Sequence, residues 1–516
     1  MATIREWGAA RRVAGSNLEL IVNGKRHLHD CGLFYNNELD KQPFPYDPKS
    51  VETVTLGHGH MDHIGRLLKL FKEGFRGSIY CTGGTADITK LQLQQKANSA
   101  YIENKRVEEY NKWVKGRKFE SGPNKGKFMP FMEKVRSEYT YQDYKNLMQL
   151  FEFFSSSEGK YKDTIWDPNY DSGYSSIQLG YPYEETIPIS DDIIISFHQA
   201  GHIMGSAQTL FQIKENGKTI TFLADYDLGR IDIDTPIVKQ PKTNFKMSID
   251  YIGLEATYGD KTHDPLEESL KILEDAINET YKKKGCLVIP AFSIMRTHLL
   301  EFYIHELYKQ GKIPKDMPFI LSSPSAEKVN RIILKHKEDL DKVAKREMVG
   351  KVFRPFAFPT LEIHKKVAET KDLLEQSDKA YPYAIIASSG MCEGGRIERI
   401  LKEKLPDLRT VVLLTGYQAA GTRGRLLEEG AKEVPFLRGN VKNNATIMRM
   451  GGLSGHADSN EQIQHLKKVN PKGYKGIFIK HGESQSCDAF REKLIEAGFD
   501  KKIVHVMEKG QAYELV

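Results

Sequence analysis

Six consecutive residues, His58-Gly59-His60-Met61-Asp62-His63, hold three imidazoles and a carboxylate. Imidazole nitrogen suits zinc, and a carboxylate oxygen can complete a site or bridge two. With both donor types alternating, one loop can serve two adjacent cations. A lone histidine would more simply be a surface or packed side chain. His-x-His-x-Asp-His directly after a strand reads instead as a metal-ligand loop. The strand is Val51-Glu52-Thr53-Val54-Thr55-Leu56, a β-branched run that ends where the histidines begin. Ligands on such a loop are anchored by a rigid element yet can converge on one point.

Further acidic and imidazole residues stand at the ends of other predicted strands. His202 lies in Ala200-Gly201-His202-Ile203-Met204-Gly205-Ser206, and Asp227 in Asp225-Tyr226-Asp227-Leu228-Gly229-Arg230, with Asp225 as a rival. Glu255 closes a strand in Leu254-Glu255-Ala256-Thr257-Tyr258-Gly259. His456 lies in Ser454-Gly455-His456-Ala457-Asp458, and His481 in Lys480-His481-Gly482-Glu483. Flanking Gly and Ser let backbone approach a ligand closely. Each of these alone is more simply a helix cap or a packed histidine.

The elements that must position them divide at about residue 260. Before it, residues 15–35 and 51–85 read as short strands, with a helix over 64–73. Helical character follows over 88–160, broken by the Gly/Pro/Lys-rich piece 116–130, and 161–183 reads as loop. Strands resume at 193–198, 219–224 and 251–255. After it, helices over 265–284, 295–310 and 325–338 alternate with strands at 286–291, 319–322, 384–388 and 410–415. That is the signature of a parallel sheet. Strand-like segments return near 445–450 and 477–480.

The chain has 516 residues, too many for one ordinary core, so two or three domains are expected. The amino terminus lacks the apolar core of a signal peptide, and no run approaches the ~20 apolar residues of a membrane span. Cys31, Cys81, Cys286, Cys392 and Cys487 are scattered, which argues for a reducing cytoplasm and against a disulfide framework or a cysteine-based zinc site. A net charge of +6 is too mild to imply a nucleic-acid partner. Its distribution says more: residues 94–145 hold twelve Lys/Arg against seven Asp/Glu, interleaved with nine aromatics. Such a stretch can grip phosphates and stack bases, or can be a lid whose aromatics pack inward.

Taken in order, these segments resemble the metallo-β-lactamase superfamily, and within it the β-CASP nucleases. That branch includes the endonuclease subunit of the eukaryotic pre-mRNA cleavage and polyadenylation factor, its prokaryotic relatives and ribonuclease J. His-x-His-x-Asp-His marks only the superfamily. The β-CASP likeness rests on Glu255-Ala256-Thr257-Tyr258-Gly259, Pro290-Ala291-Phe292-Ser293, Ser389-Gly390-Met391-Cys392-Glu393-Gly394-Gly395-Arg396 and Gly416-Tyr417-Gln418-Ala419-Ala420-Gly421-Thr422, with the Ser-Gly-His-Ala-Asp and His-Gly-Glu segments. The likeness runs roughly from Asp30 to Glu483. Departures are Gly57 where the family often has Thr, Tyr226-Asp227 where it has Gly-Asp, and Ser322-Ser323-Pro324 where it has Asp-Ser-Pro. The segment between His63 and His202 is also long for the family.

The resemblance implies an α/β fold, an αββα metallo-β-lactamase sandwich with an inserted α/β β-CASP cap. Residues 1–258 and 440–516 would form the core, with the basic and aromatic insertion at about 94–185, and 259–439 the cap. It implies two zinc ions, with Mn2+ also compatible. His58, His60 and His202 would bind one, Asp62, His63 and His481 the other, and Asp227 would bridge. Asp30 would orient ligands from behind. Glu255 and His456 would pair beside the metals and, with Asp62, carry the chemistry, His456 protonating the leaving oxygen. Arg296, Arg396, Arg423 and Ser454 are the expected substrate contacts, with a structural ion pair as the alternative for each arginine. The function expected is hydrolysis of single-stranded RNA by a cytoplasmic enzyme, as an endonuclease, a 5′-exonuclease or both. A homodimer is compatible, and no membrane partner is expected. DNA or a small ester as substrate, and a non-catalytic scaffold, are the alternatives, and the full ligand set weighs against the last.

Overall fold

A computed structural model of the chain describes residues 1–118, 127–128, 131, 133, 139–151, 180–231, 237–350, 352–375, 382–418, 421–437 and 439–516. The chain divides into two compact α/β units, one of Met1–Phe197, Thr209–Ala224 and Val506–Val516, the other of His198–Gln208 and Asp225–His505. Among the described residues no helix is long and apolar enough to cross a membrane.

The first unit has a six-stranded sheet in the order Tyr513–Leu515, Ala2–Glu6, Leu18–Val22, Lys25–His29, Val51–Thr55, Ser78–Tyr80. Its early strands are antiparallel, but Lys25–His29, Val51–Thr55 and Ser78–Tyr80 run parallel. Parallel neighbours need a crossover, and the crossover after Val51–Thr55 begins with the His58–His63 segment. A second layer carries Ile193–Gln199, Ala207–Glu215 and Lys218–Asp225. The last two form an antiparallel hairpin around Asn216-Gly217, both at positive φ, as the favoured two-residue turn requires. The layers face each other: the His29 ring meets Phe211 edge-on at 5.9 Å, and the Ala2 N–H donates to Glu215 Oε2 at 2.8 Å.

The single helix expected over 64–73 is two pieces, Met61–Ile64 and Leu67–Lys72. The Asp62 carbonyl, which a continuous helix would give to Arg66, accepts from Ser16 N–H at 2.9 Å, and Arg66 N–H donates to the Cys31 carbonyl. Neighbouring loops thus take the backbone groups that helix continuation needs. A long helix, Gly83–Val114, starts earlier than the sequence suggests, capped by the Thr82 side chain on Thr85 N–H. The strands Ala2–Glu6, Ala207–Glu215 and Tyr513–Leu515 have no counterpart among the elements expected from the sequence. Most of the loop expected over 161–183 lies outside the described residues.

The second unit is built on a six-stranded parallel sheet in the order Leu361–Ile363, Phe319–Leu321, Tyr383–Ala387, Cys286–Pro290, Val411–Leu414, Thr446–Arg449. Its central strands are buried throughout, which is why they read as unbroken apolar runs in the sequence. Separately, Tyr251–Glu255 lies parallel to Gly476–Lys480, pairing Glu255 with Lys480.

The helix Arg296–Lys309 carries a fully buried acid, Glu301. Its Oε1 receives only a long 3.5 Å bond from Asn330 Nδ2, and burial pushes its carboxyl up to about 8. The folded chain therefore keeps a proton that the unfolded chain loses above its ordinary value of 4.5. The contribution to stability is full below that value and is lost as pH rises through about 8, by ~1.4 kcal/mol for each pH unit crossed between the two. Glu301→Gln, neutral throughout, should melt close to the parent at pH 4.5 and well above it at pH 8.5. Parallel melting curves across that range would contradict the buried proton.

Candidate active site

In the first unit the site begins behind the ligand loop. Asp30 is fully buried, and its Oδ1 accepts from Gly57 N–H at 3.0 Å. Its Oδ2 accepts from Ser16 Oγ at 3.0 Å and meets His63 Nδ1 at 2.7 Å. That contact commits the Nδ1 proton of His63 and turns Nε2 into the lone-pair donor. Backbone pins the same turn: Leu33 N–H donates to the Met61 carbonyl at 2.9 Å. Gly32 packs so tightly here that a Cβ would lie 1.6 Å from the Asp62 carbonyl oxygen.

His58 Nε2 and His60 Nδ1 come to 3.0 Å, and the His58 and His63 rings to 4.0 Å between centroids. Two nitrogens held tetrahedrally by one zinc at ~2.0–2.1 Å sit about 3.3 Å apart, so the His58/His60 pair fits a shared ion. Asp62 Oδ2 stands 4.0 Å from His63 Nε2 and adds a carboxylate beside it.

In the second unit His202 sits in a loop closed by Ser206, whose Oγ accepts from His202 N–H and Ile203 N–H at 3.1 and 3.2 Å. Gly229 lies against that loop, where a Cβ would be 2.2 Å from the Gly201 carbonyl. This close approach brings the Asp227 segment beside His202. Asp227 and His481 both take left-handed backbone conformations, φ 73° and 52°. His481 Nδ1 lies 3.5 Å from Asp227 Oδ1, and Asp227, Glu255 and His481 each offer a donor atom within 4.8 Å of the others.

His456 Nδ1 lies 3.2 Å from Glu255 Oε1 and 3.3 Å from Asp227 Oδ1. Burial opposes charge on this ring, but the two carboxylates outweigh it and hold its pKa well above the usual imidazole value. Glu255 is itself fixed, its Oε2 accepting from Thr257 N–H at 2.7 Å. Ser454, expected at the substrate, lies beside this ring's backbone: its Oγ accepts from His456 N–H at 3.2 Å.

Three residues that the sequence did not single out complete this arrangement. His263 Nε2 donates to the His456 carbonyl at 2.8 Å, and its ring lies 4.3 Å from that of Tyr258. Its N–H donates to Asp458 Oδ2, and Asp458 caps the helix Ser459–Val469 together with Glu461. Arg230 Nε in turn binds both Glu461 oxygens, at 2.9 and 2.7 Å. His465 Nε2 stands 2.8 Å from the rival acid Asp225, and both are wholly buried. Apart from the Asp458–Glu461 capping box, no local pattern reveals these pairings, because the partners lie 193 or more residues apart.

The three candidate arginines differ. Arg396 gives its guanidinium to the His364 and Lys365 carbonyls, and Arg423 pairs with Glu393 and Glu398 and covers the Phe436 ring at 4.9 Å. Arg296 has a buried Nη1 without a hydrogen-bond partner among the described residues, and burial lowers its pKa to about 10. In the insertion, Arg117 lies over Trp113 at 5.0 Å, Lys118 over Phe128 at 4.8 Å and Lys145 over Tyr141 at 5.1 Å. Tyr144 is buried while Phe128 and Phe131 are exposed, and residues 119–126, 129–130, 132, 134–138 and 152–179 of this stretch lie outside the described residues.

Residues 297–427 match the family described as Beta-Casp domain, and residues 440–506 the one described as Zn-dependent metallo-hydrolase RNA specificity domain. The chain is 28% identical over 502 residues to ribonuclease TTHA0252 of Thermus thermophilus, covering 95% of this chain and 96% of that one. It is 27% identical over 496 residues to transcription termination factor FttA of Methanosarcina mazei, covering 93% of this chain and 67% of the factor. FttA of Methanocaldococcus jannaschii is 28% identical over 501 residues, covering 94% and 68%.

The two neighbouring acids should separate in experiment. Asp225→Asn breaks a buried carboxylate–imidazole pair, so it should lower the melting temperature while metal content is kept. Asp227→Asn should leave the fold standing and lower bound metal, read by elemental analysis. The reverse ranking would transfer the ligand role to Asp225.

Proposed function

We propose that this chain, which belongs to the β-CASP branch of the metallo-β-lactamase superfamily, is a zinc-dependent nuclease that hydrolyses phosphodiester bonds of single-stranded RNA in the cytoplasm. The observation that carries the reading is the seating of His456. Its ring is held by Glu255, whose carboxylate favours the protonated form, and it lies within the stretch that matches the RNA specificity domain. In this reading residues 1–258 and 440–516 are the hydrolase core and 259–439 the cap, a division supported by the Beta-Casp match at 297–427.

Seven side chains would serve two ions: His58, His60 and His202 the first, Asp62, His63 and His481 the second, with Asp227 shared. The donor set supports this, since every member is N or O and the five cysteines, all buried free thiols, are not among them. When bound, the ions supply Lewis acidity, lowering the pKa of water from ~15.7 toward ~7 and offsetting charge that gathers on the scissile phosphate. The chain's own residues do the rest. Asp30 fixes the tautomer and direction of His63. Glu255 holds Nδ1 of His456, which leaves the other ring nitrogen to hand its proton to the 3′-oxygen as the P–O bond breaks. The products are a 3′-hydroxyl and a 5′-phosphate. Arg296, with donor capacity to spare, binds a substrate phosphate, whereas Arg396 and Arg423 hold the fold.

End-labelled single-stranded RNA should be cleaved to 5′-phosphate products, and chelator should stop the reaction. His456→Ala should keep its metal and slow cleavage by roughly 10²–10⁴, the usual contribution of a positioned acid. A substrate with a better leaving group should recover part of that loss, because its departure needs no proton. Near-normal RNA cleavage by folded His456→Ala would sink the mechanism. Cleavage of DNA alone would move the substrate class.

A further inference from the structure

Two of the motifs singled out in the sequence, Pro290-Ala291-Phe292-Ser293 and the one containing Gly416-Tyr417-Gln418, supply no donor to the metal chemistry. Both lie at the carboxyl-terminal edge of the parallel sheet in the second unit. Cys286–Pro290 is the strand between Tyr383–Ala387 and Val411–Leu414, so the loops that follow these three strands are neighbours. They are tied together. Ala291 N–H donates to the Ala387 carbonyl at 3.0 Å and Thr415 Oγ1 to the Pro290 carbonyl at 3.0 Å. The buried amide of Gln418 donates to the Gly390 and Gly416 carbonyls at 3.1 and 3.0 Å.

On this braced edge two aromatic rings are open to solvent, Phe292 at 40% and Tyr417 at 59% exposure. Phe292 is held against backbone: a Cβ on Gly390 would be 2.9 Å from its ring. Against the second of these loops lies the Arg296 guanidinium, its Nη1 3.1 Å from where a Cβ on Gly416 would be. Carboxyl edges of parallel sheets are where such folds bind ligands. Aromatic faces beside an under-used cation suit a chain of bases and phosphates. Tyr258 connects this edge to the proposed chemistry: its hydroxyl bears on the charge of Arg296, and its ring lies 6.4 Å from that of His456.

We infer that Phe292 and Tyr417 form a stacking site for unpaired bases of the RNA strand, with Arg296 on the phosphate that joins those bases. The inference rests on the ribonuclease reading above. Stacking is indifferent to the sugar, so this site selects a single strand over a duplex and does not by itself tell ribose from deoxyribose.

The test is equilibrium binding of a fluorescent twelve-nucleotide RNA and an abasic oligomer of equal length, in the His456→Ala background so that substrate persists. Phe292→Ala and Tyr417→Ala should each weaken RNA binding by roughly 5- to 150-fold, the range for loss of one stacked base. Affinity for the abasic oligomer should hold, and so should the salt slope, because no phosphate contact is lost. Phe292→Trp and Tyr417→Phe should bind RNA like the parent. Unchanged RNA affinity in the alanine variants would overturn the site, as it would if the rings served a protein partner, while parental cleavage would leave the ribonuclease reading standing. Equal losses for both oligomers would also overturn it, by showing a structural role. A parent that neither binds nor cleaves RNA would instead remove the functional reading, and the inference with it.

Discussion

Asp30, Asp225 and Glu255 are all removed from solvent, and each faces an imidazole: His63, His465 and His456. A buried carboxylate is tolerable only if hydrogen bonds or opposite charge replace its lost water. Asp30 collects a backbone N–H, a hydroxyl and a ring nitrogen, and Glu255 a backbone N–H and a ring nitrogen. The imidazoles are therefore where they are because the acids need them. Only afterwards do their remaining nitrogens become available for other work. Two of the three pairs belong to the proposed chemistry, and the third, Asp225 with His465, is wholly buried. Identity of residue type does not separate those uses; surroundings do.

Backbone geometry tightens the same positions. Asp30, Asp227 and His481 all occupy the left-handed region, where residues with a Cβ are uncommon. Such conformations cost of order 1–3 kcal/mol each and persist where surrounding structure over-determines them. Here it does: Asp30 N–H is bonded to the Thr55 carbonyl and Cys31 N–H to the His63 carbonyl, while the His481 carbonyl takes Ala256 N–H. Side-chain positions set this way are not adjusted by side-chain rotation alone.

Much of the architecture was legible in the sequence because its signals are local. The buried parallel strands appear as apolar runs, and Leu266–Lys282 and Arg296–Lys309 match the helices expected from the sequence to within a few residues. The loop motifs stood out because residue types recur at short spacing. What stayed hidden was non-local. The break at Gly65–Arg66 depends on Ser16 and Cys31 taking backbone groups from a distance. His263 is an isolated histidine until the His456 carbonyl is placed beside it. The carbonyl and carboxylate partners of Arg396 and Arg423 likewise come from segments the sequence does not associate with them.

The strand order of the parallel sheet also sets a clock. Cys286–Pro290 pairs with Tyr383–Ala387 on one side and Val411–Leu414 on the other. Neither partner exists until about a hundred further residues have been made, which at ~5–20 residues per second is roughly 5–20 s of translation. For that interval Cys-Leu-Val-Ile-Pro has no neighbour in its own sheet. Pairing over such separations is intrinsically slow even once the chain is complete. The central strand of the sheet that seats these loops is thus made long before its partners, and until they arrive it needs shielding from other chains.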